Sequence, residues 1–246
     1  MKERGVIFNG EMVRAILHGR KTQTRRIVKG TDGAVKFCKE WDINGEEIFV
    51  VLGEKDHTGM NPVFGALSCP FGAVGDRIWV RETWGVVSHA FSDDGLMIDW
   101  VPDRPTTAIH EMPFGNGYYS GYAIYAADGD FTWGDEDGYE DGRSCWKPSI
   151  HMPRAASRIL LEITNVRVER LNAISEEDAE AEGIDMEALY DSQDCYDCIA
   201  DHNMTGRPTV TGAFKYLWES IYGEEGWKAN PWAWVIKFKR VEGGAA

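Results

Sequence analysis

Apolar positions along the chain switch between two periods, and each switch marks an element. Val6-Ile7-Phe8 is a short apolar run that fits a first strand. Met12, Val13, Ile16 and Leu17 then recur at helical spacing and lay one apolar face on about two turns of helix. Asn9 is placed to cap that helix. Gly19 is placed to stop it, because glycine takes the left-handed conformation without steric cost. Within a mixed region over 30–74, Glu47 to Leu52 reads as a strand and Cys69-Pro70-Phe71-Gly72 as a turn. Gly75-Asp76 leads into a further strand, with Arg77, Trp79 and Arg81 on one face and Ile78, Val80 and Glu82 on the other.

Further along, Lys147 to Arg154 carries two prolines and runs extended into Ile159, Leu161 and Ile163, followed by Val166 and Val168. The parity shift at Thr164-Asn165 predicts a bulge or tight bend in one long strand. Ser175-Glu176-Glu177-Asp178 is a capping-box-like start for a helix reaching about Gly183. Phe214, Leu217, Trp218 and Ile221 predict a helix over about 213–222 that buries its aromatic side chains. Trp232, Trp234, Ile236 and Phe238 alternate along a closing strand. Strands of mixed spacing with three short helices argue an α+β fold whose sheet closes into a small barrel.

Charge changes this picture in two places. The net charge is −14, but residues 86–142 hold twelve Asp or Glu and one Arg, so −11 lies there and −3 elsewhere. The same stretch carries ten aromatic residues, whereas disordered acidic tails are poor in them; an ordered insertion of loops and short strands is expected. Residues 186–211 read as a second loop insertion. The expectation is one domain over 1–246, interrupted at about 86–146 and 186–211. Overall acidity argues against a protein that tracks a long phosphate backbone. Arg14, Arg20, Lys21, Arg25, Arg26 and Lys29 nevertheless form a cationic island suited to a small anionic or nucleoside-like ligand. No run approaches the roughly 18 apolar residues of a membrane span, and Met1-Lys2-Glu3-Arg4 leads into no signal-like segment. A cytoplasmic protein without membrane contact is expected.

The candidate chemistry starts at Gly19. In the seven residues after it stand four cations and two hydroxyls, delivered to one rim by the preceding helix. That set suits a phosphate, a nucleobase or a polarised carbonyl; a solvated basic turn paired with nearby acids is the plainer alternative. Five cysteines at irregular spacing are no disulfide framework. Cys195 and Cys198 have C-x-x-C spacing, but Cys38, Cys69, Cys145 or His202 would have to complete a zinc site. Asp128, Asp130, Asp135 and Asp137 miss the spacing of a calcium loop and read as a solvated acidic stretch. No metal and no cofactor is assigned.

Ile16-Leu17-His18-Gly19-Arg20-Lys21-Thr22-Gln23-Thr24-Arg25-Arg26 resembles the signature of the ASCH domains, relatives of the PUA fold. Gly75 to Glu82, Ser175 to Gly183 and Trp234 to Phe238 stand in that family's order, and Lys147 to Ile159 resembles phage- and prophage-encoded members. The resemblance covers about half of the chain and leaves out both insertions and residues 30–74. It implies a small β-barrel with flanking helices and a cleft for RNA or a modified nucleobase or nucleoside. For one bacterial branch it implies an amidohydrolase that removes the acetyl group of N4-acetylcytidine with a lysine, a threonine and a glutamate. The matching positions are Lys21, Thr24 and Glu182, with Glu180 as the competing glutamate. Arg20, Thr22, Arg25, Arg26 and Glu82 are the candidate binding residues around them. In that chemistry Glu182 activates water, Lys21 stabilises the oxyanion and Thr24 positions water or substrate, without a metal. An ordinary Lys21–Glu182 ion pair closing the barrel mouth is the competing role. Two other functions stay open. One is an RNA-binding module or weak ribonuclease that stacks bases on exposed aromatics. The other is a phage-encoded factor whose acidic insertion docks on a basic host protein.

Overall fold

The computed structural model of the chain describes residues 1–92, 94–133, 145–199 (side chains to residue 193) and 208–241. In chain order these form β1 (Glu3–Ile7), α1 (Gly10–Leu17), β2 (Gln23–Ile27), β3 (Lys36–Trp41), β4 (Glu47–Leu52) and β5 (Val63–Leu67). Next come β6 (Arg77–Arg81), β7 (Trp84–Val87), β8 (His89–Phe91), β9 (Met97–Asp99), β10 (Thr107–Phe114) and β11 (Gly117–Tyr125). The remainder is β12 (Leu160–Arg170), α2 (Glu176–Ala181), α3 (Met186–Ile199), α4 (Val210–Tyr222), α5 (Glu224–Lys228) and β13 (Trp232–Arg240). The class is α+β. Among the described residues the strands form four sheets, of five, three, three and two strands. None of the described helices is long and apolar enough to cross a membrane.

The chain divides into two compact units. The first comprises Met1–Lys2, Ala15–Asp76 and Glu162–Lys239; the second comprises Glu3–Arg14, Arg77–Leu161 and Arg240–Ala246.

In the first unit β12, β13 and β2 lie side by side, and β3, β4 and β5 form a separate antiparallel meander. β2 and β13 are antiparallel, with Gln23 opposite Lys237 and Thr24 opposite Ile236. The alternation expected of the closing strand gives way to continuous burial, since Ala233, Trp234, Val235 and Ile236 are all inside. A strand covered on both faces needs apolar side chains on both. Trp234 meets Phe49 of β4 edge to face at 4.9 Å. Leu171, Ile174, Ala179, Phe214 and Trp218 make a second cluster, so Phe214 and Trp218 of α4 are core as expected, while Ile221 of the same predicted face is exposed. On β12, Thr164 and Asn165 are exposed in succession between buried Ile163 and Val166, which is the predicted change of parity.

The helix ends follow their caps. The Met12 amide donates to Asn9 Oδ1 at 2.8 Å, and Gly19 has φ of 75°. Ser175 Oγ accepts from the Asp178 amide at 3.2 Å, and α2 ends with Glu182 as its C-cap. The second insertion expected over 186–211 starts as a fourteen-residue helix, α3, instead of a loop.

In the second unit β1 and β6 are parallel, β10, β11 and β7 form an antiparallel sheet, and β8 with β9 makes a hairpin. The described part of the acidic stretch is thus ordered, as its aromatic content predicts, with strands of up to nine residues. Its Ile109, Met112, Ala123 and Tyr125 pack with Trp84, Met152 and Ala156 into one core. On β6, Ile78 and Val80 are fully buried while Arg77, Trp79 and Arg81 are partly exposed, as the alternation predicts. Removing the α2 cap by Ser175→Ala should cost about 1 kcal/mol, read as a lower urea midpoint at unchanged m-value.

Candidate functional site

The signature turn is held from both sides by backbone. The amides of Arg20 and Lys21 both donate to the Ala15 carbonyl, at 2.9 and 3.0 Å, and the Thr22 amide donates to Ala181 O at 2.9 Å. Lys21 and Glu182 thereby face each other in an isolated antiparallel bridge. Gly183 makes this approach possible. Its φ is 96°, and a Cβ there would sit 2.9 Å from the Cβ atoms of both Lys21 and Ala15. Only glycine accepts both conditions without strain.

Lys21 Nζ donates to the Glu182 carbonyl at 2.7 Å and to Glu182 Oε2 at 2.8 Å. Its side chain has no exposed area, and that of Glu182 only 4%. Because side chains on an extended strand alternate, Gln23 and Arg25 leave the same face as Lys21. Gln23 Nε2 donates to the Asp178 carbonyl at 2.9 Å and to Glu182 Oε1 at 3.5 Å. Those two acceptors fix the orientation of its amide, and Gln23 Oε1 is buried without a partner among the described residues. Arg25 Nη1 donates to Glu182 Oε1 at 3.4 Å, and Nη2 donates to Glu169 Oε2 and Asp178 Oδ2, both at 3.1 Å. Arg167 pairs with Glu169 and Asp178, and Lys237 lies 3.5 Å from Asp178 Oδ1. Four cations thus share three carboxylates.

Burial lowers the proton affinity of Lys21 from its ordinary value, against the opposing charge and hydrogen bond of Glu182. For Asp178 burial works upward, but the hydrogen bond from Arg25 and the charges of Arg167, Arg25 and Lys237 prevail and hold its carboxyl below the usual range. A buried lysine of lowered proton affinity touching a carboxylate can exchange a proton with it or polarise an adjacent carbonyl oxygen.

The structure brings Lys21, Arg25 and Glu182 together and separates the rest of the predicted set. Glu180 is exposed, so Glu182 is the glutamate that meets the turn. Thr24 is buried but leaves β2 from the face opposite Gln23 and Arg25. Thr22 is exposed, Arg26 is half-buried, and Arg20 makes a surface pair with Asp185 at 2.9 Å. The turn therefore sends Lys21 and Arg25 inward, where a rim of cations was expected. Glu82 belongs to the second unit. Arg158 grips it at 3.0 and 2.9 Å and also bonds Asp128 at 2.7 Å. Burial raises the Glu82 proton affinity, against the hydrogen bonds and charge of Arg158.

Gln23, Asp178, Glu169 and Arg167 were missed as site residues. The i, i+2 spacing of Lys21, Gln23 and Arg25, repeated in Arg167 and Glu169, is the signal that pointed to them. Among the described residues no group of three or more His, Cys, Asp or Glu is arranged to hold a metal. Cys38, Cys69 and Cys145 are in no disulfide among the described residues; the side chains of Cys195 and Cys198, with Asp135, Asp137 and His202, lie outside the described residues. In comparison with known proteins, no family model, no curated protein and no solved structure matches the chain.

Arg25→Ala leaves Asp178 and Glu182 without their shared partner and should cost about 3–5 kcal/mol in urea unfolding. Lys21 gives a pH signature of known sign. Its folded proton affinity lies below the unfolded value near 10.5, so between the two the unfolded chain binds more protons. Stability from this group rises with pH across that window and levels off above it. Wild type should gain stability over Lys21→Met as pH rises toward 10.5, measured by urea unfolding at each pH.

Proposed function

We propose that the chain is an ASCH/PUA-like protein, with strands closing into that family's small barrel, that binds a modified nucleobase or nucleoside. We further assign it hydrolysis of the amide of N4-acylcytidines at Lys21 and Glu182. The observation that carries this reading is the buried contact of the Lys21 amine with the Glu182 carboxylate at 2.8 Å, at the positions the resemblance implies. In the reaction a water adds to the acyl carbon while Glu182 takes its proton. The Lys21 N–H donates to the carbonyl oxygen as it becomes anionic. Collapse breaks the C–N bond and Glu182 returns the proton to the exocyclic nitrogen, releasing cytidine and the carboxylic acid. Gln23 takes the positioning role on this face of β2, because its Oε1, without a partner among the described residues, can accept from the attacking water. Lys21 is covered, so the acyl group reaches it only when that cover opens.

A second reading has its own support. Both hydrogen bonds of Lys21 end on Glu182, and its side chain is fully enclosed. As a structural clasp the pair leaves the protein as a reader of RNA or bases without turnover.

Purified protein incubated with N4-acetylcytidine should release acetate, and Lys21→Ala and Glu182→Ala should each abolish release. Binding of cytidine or N4-acetylcytidine without acetate would establish the reader. Retained binding of single-stranded RNA with a steep salt dependence would place the phosphates at the remaining cations. Neither binding nor release would remove both readings.

A further inference from the structure

The second unit contains a recess of about 1050 Å³ with an aromatic wall. Phe131 stands edge to face with Trp133 at 4.7 Å and with Trp100 at 6.0 Å, and Trp133 meets Trp146 at 5.4 Å. This wall is fixed by packing. The Trp133 ring lies so close to the Gly85 backbone that a Cβ there would fall 2.5 Å from it. The Trp133 indole nitrogen is buried and has no partner among the described residues, so one donor on the wall is unused.

The recess already shows what chemistry its wall accepts. The Arg104 guanidinium sits 5.0 Å from the centre of the Phe131 ring. Its Nη1 donates to the Asp130 carbonyl at 2.9 Å and its Nε to the Asp103 carboxylate at 3.1 Å. A cation on a ring face with its edge on carbonyl and carboxylate oxygens is a favourable arrangement. Arg104 uses one carboxylate, that of Asp103, while Asp94 and Asp130 also line the recess. Among the described residues Asp94, Asp103 and Asp130 line this recess against the single cation Arg104, so its charge favours positive partners and repels phosphates. The hairpin that supplies Phe91 and Asp94 also exposes Leu96, Met97 and Ile98 at 66, 63 and 47%. Clustered exposed apolar side chains beside a charged recess mark a polypeptide-binding surface; a small cation would not need them.

We propose that this recess is a docking site for a basic polypeptide segment. An arginine or lysine of the partner stacks on the Trp100–Phe131–Trp133 wall with its charge toward Asp94 and Asp130, and neighbouring apolar side chains rest on the β8–β9 hairpin. This site is independent of Lys21 and Glu182 and does not rest on the proposed hydrolysis.

The test is fluorescence-anisotropy binding of the full chain to a labelled peptide of alternating arginine and leucine. Controls are the same peptide with glutamate for arginine, ethylguanidinium as competitor, and a labelled single-stranded RNA. The arginine peptide should bind, and Trp100→Ala and the double variant Asp94→Asn/Asp130→Asn should each weaken it by about tenfold. The double variant lies on exposed positions and keeps the fold, so the test stands even where Trp100→Ala unfolds. Unchanged affinity in the double variant overturns the proposal, as does equal binding of the glutamate peptide. Ethylguanidinium competing as well as the peptide would reassign the recess to small cations, and preference for the RNA would reassign it to nucleic acid; either result overturns the proposal.

Discussion

Charge buried in the first unit sets the terms for everything around it. Lys21 and Arg25 are taken out of water on one face of β2, and each would be strongly destabilising alone. Their compensation comes from Glu182 and Asp178 on and beside α2 and from Glu169 on β12. This requirement fixes the position of α2 against β2, the glycine at 183 and the direction of the turn after α1. Removal of any member leaves its partner charged and dry, so these residues act as a unit instead of a set of separate contacts.

The second unit uses the same device with different parts. Arg158 joins Glu82 and Asp128, and its guanidinium lies 3.9 Å from the centre of the Tyr125 ring. Tyr125 in turn donates to the Ala156 carbonyl at 2.9 Å and bonds Thr107. Burial raises the proton affinity of that phenol, and the hydrogen bond with Thr107 only partly opposes it, so the ring stays neutral beside the charged cluster. In the first unit a strand face that reads as polar in sequence is interior because Arg25 and carboxylates satisfy one another; in the second, a single glutamate past an apolar strand face is held by Arg158.

Much of the fold was legible because local rules and packing agree in it. Asn9, Gly19 and Ser175 cap where their side chains or backbone permit, and Phe214 and Trp218 recur at the helical period and are core. Val166 follows Ile163 out of step, and the exposed pair between them shows it. Legibility failed where burial came from long-range neighbours. β13 alternates Trp232, Trp234, Ile236 and Phe238, yet Ala233 and Val235 are buried too, because β13 is covered on both faces. The strands β3 and β5 are short and largely exposed, leaving little periodic signal. In the candidate site, Lys21 and Glu182 came from the family resemblance, whereas Asp178 read as a dipole-stabilising acid in the first turn of α2. Its partnership with Arg25 depends on which face of β2 meets the helix, and spacing alone does not say that the face is dry.

The pairing of β2 with β13 has a temporal consequence. Ile27 and Gln23 meet Ala233 and Lys237, so a strand near the start of the sequence is completed by one made about two hundred residues later. Until β13 is synthesised, β2 has no strand partner and presents cations meant for the interior. A nascent or truncated chain is then a sticky, partly basic object with an acidic segment of its own downstream. The order of synthesis therefore sets when β2 is paired, since its partner strand is made last.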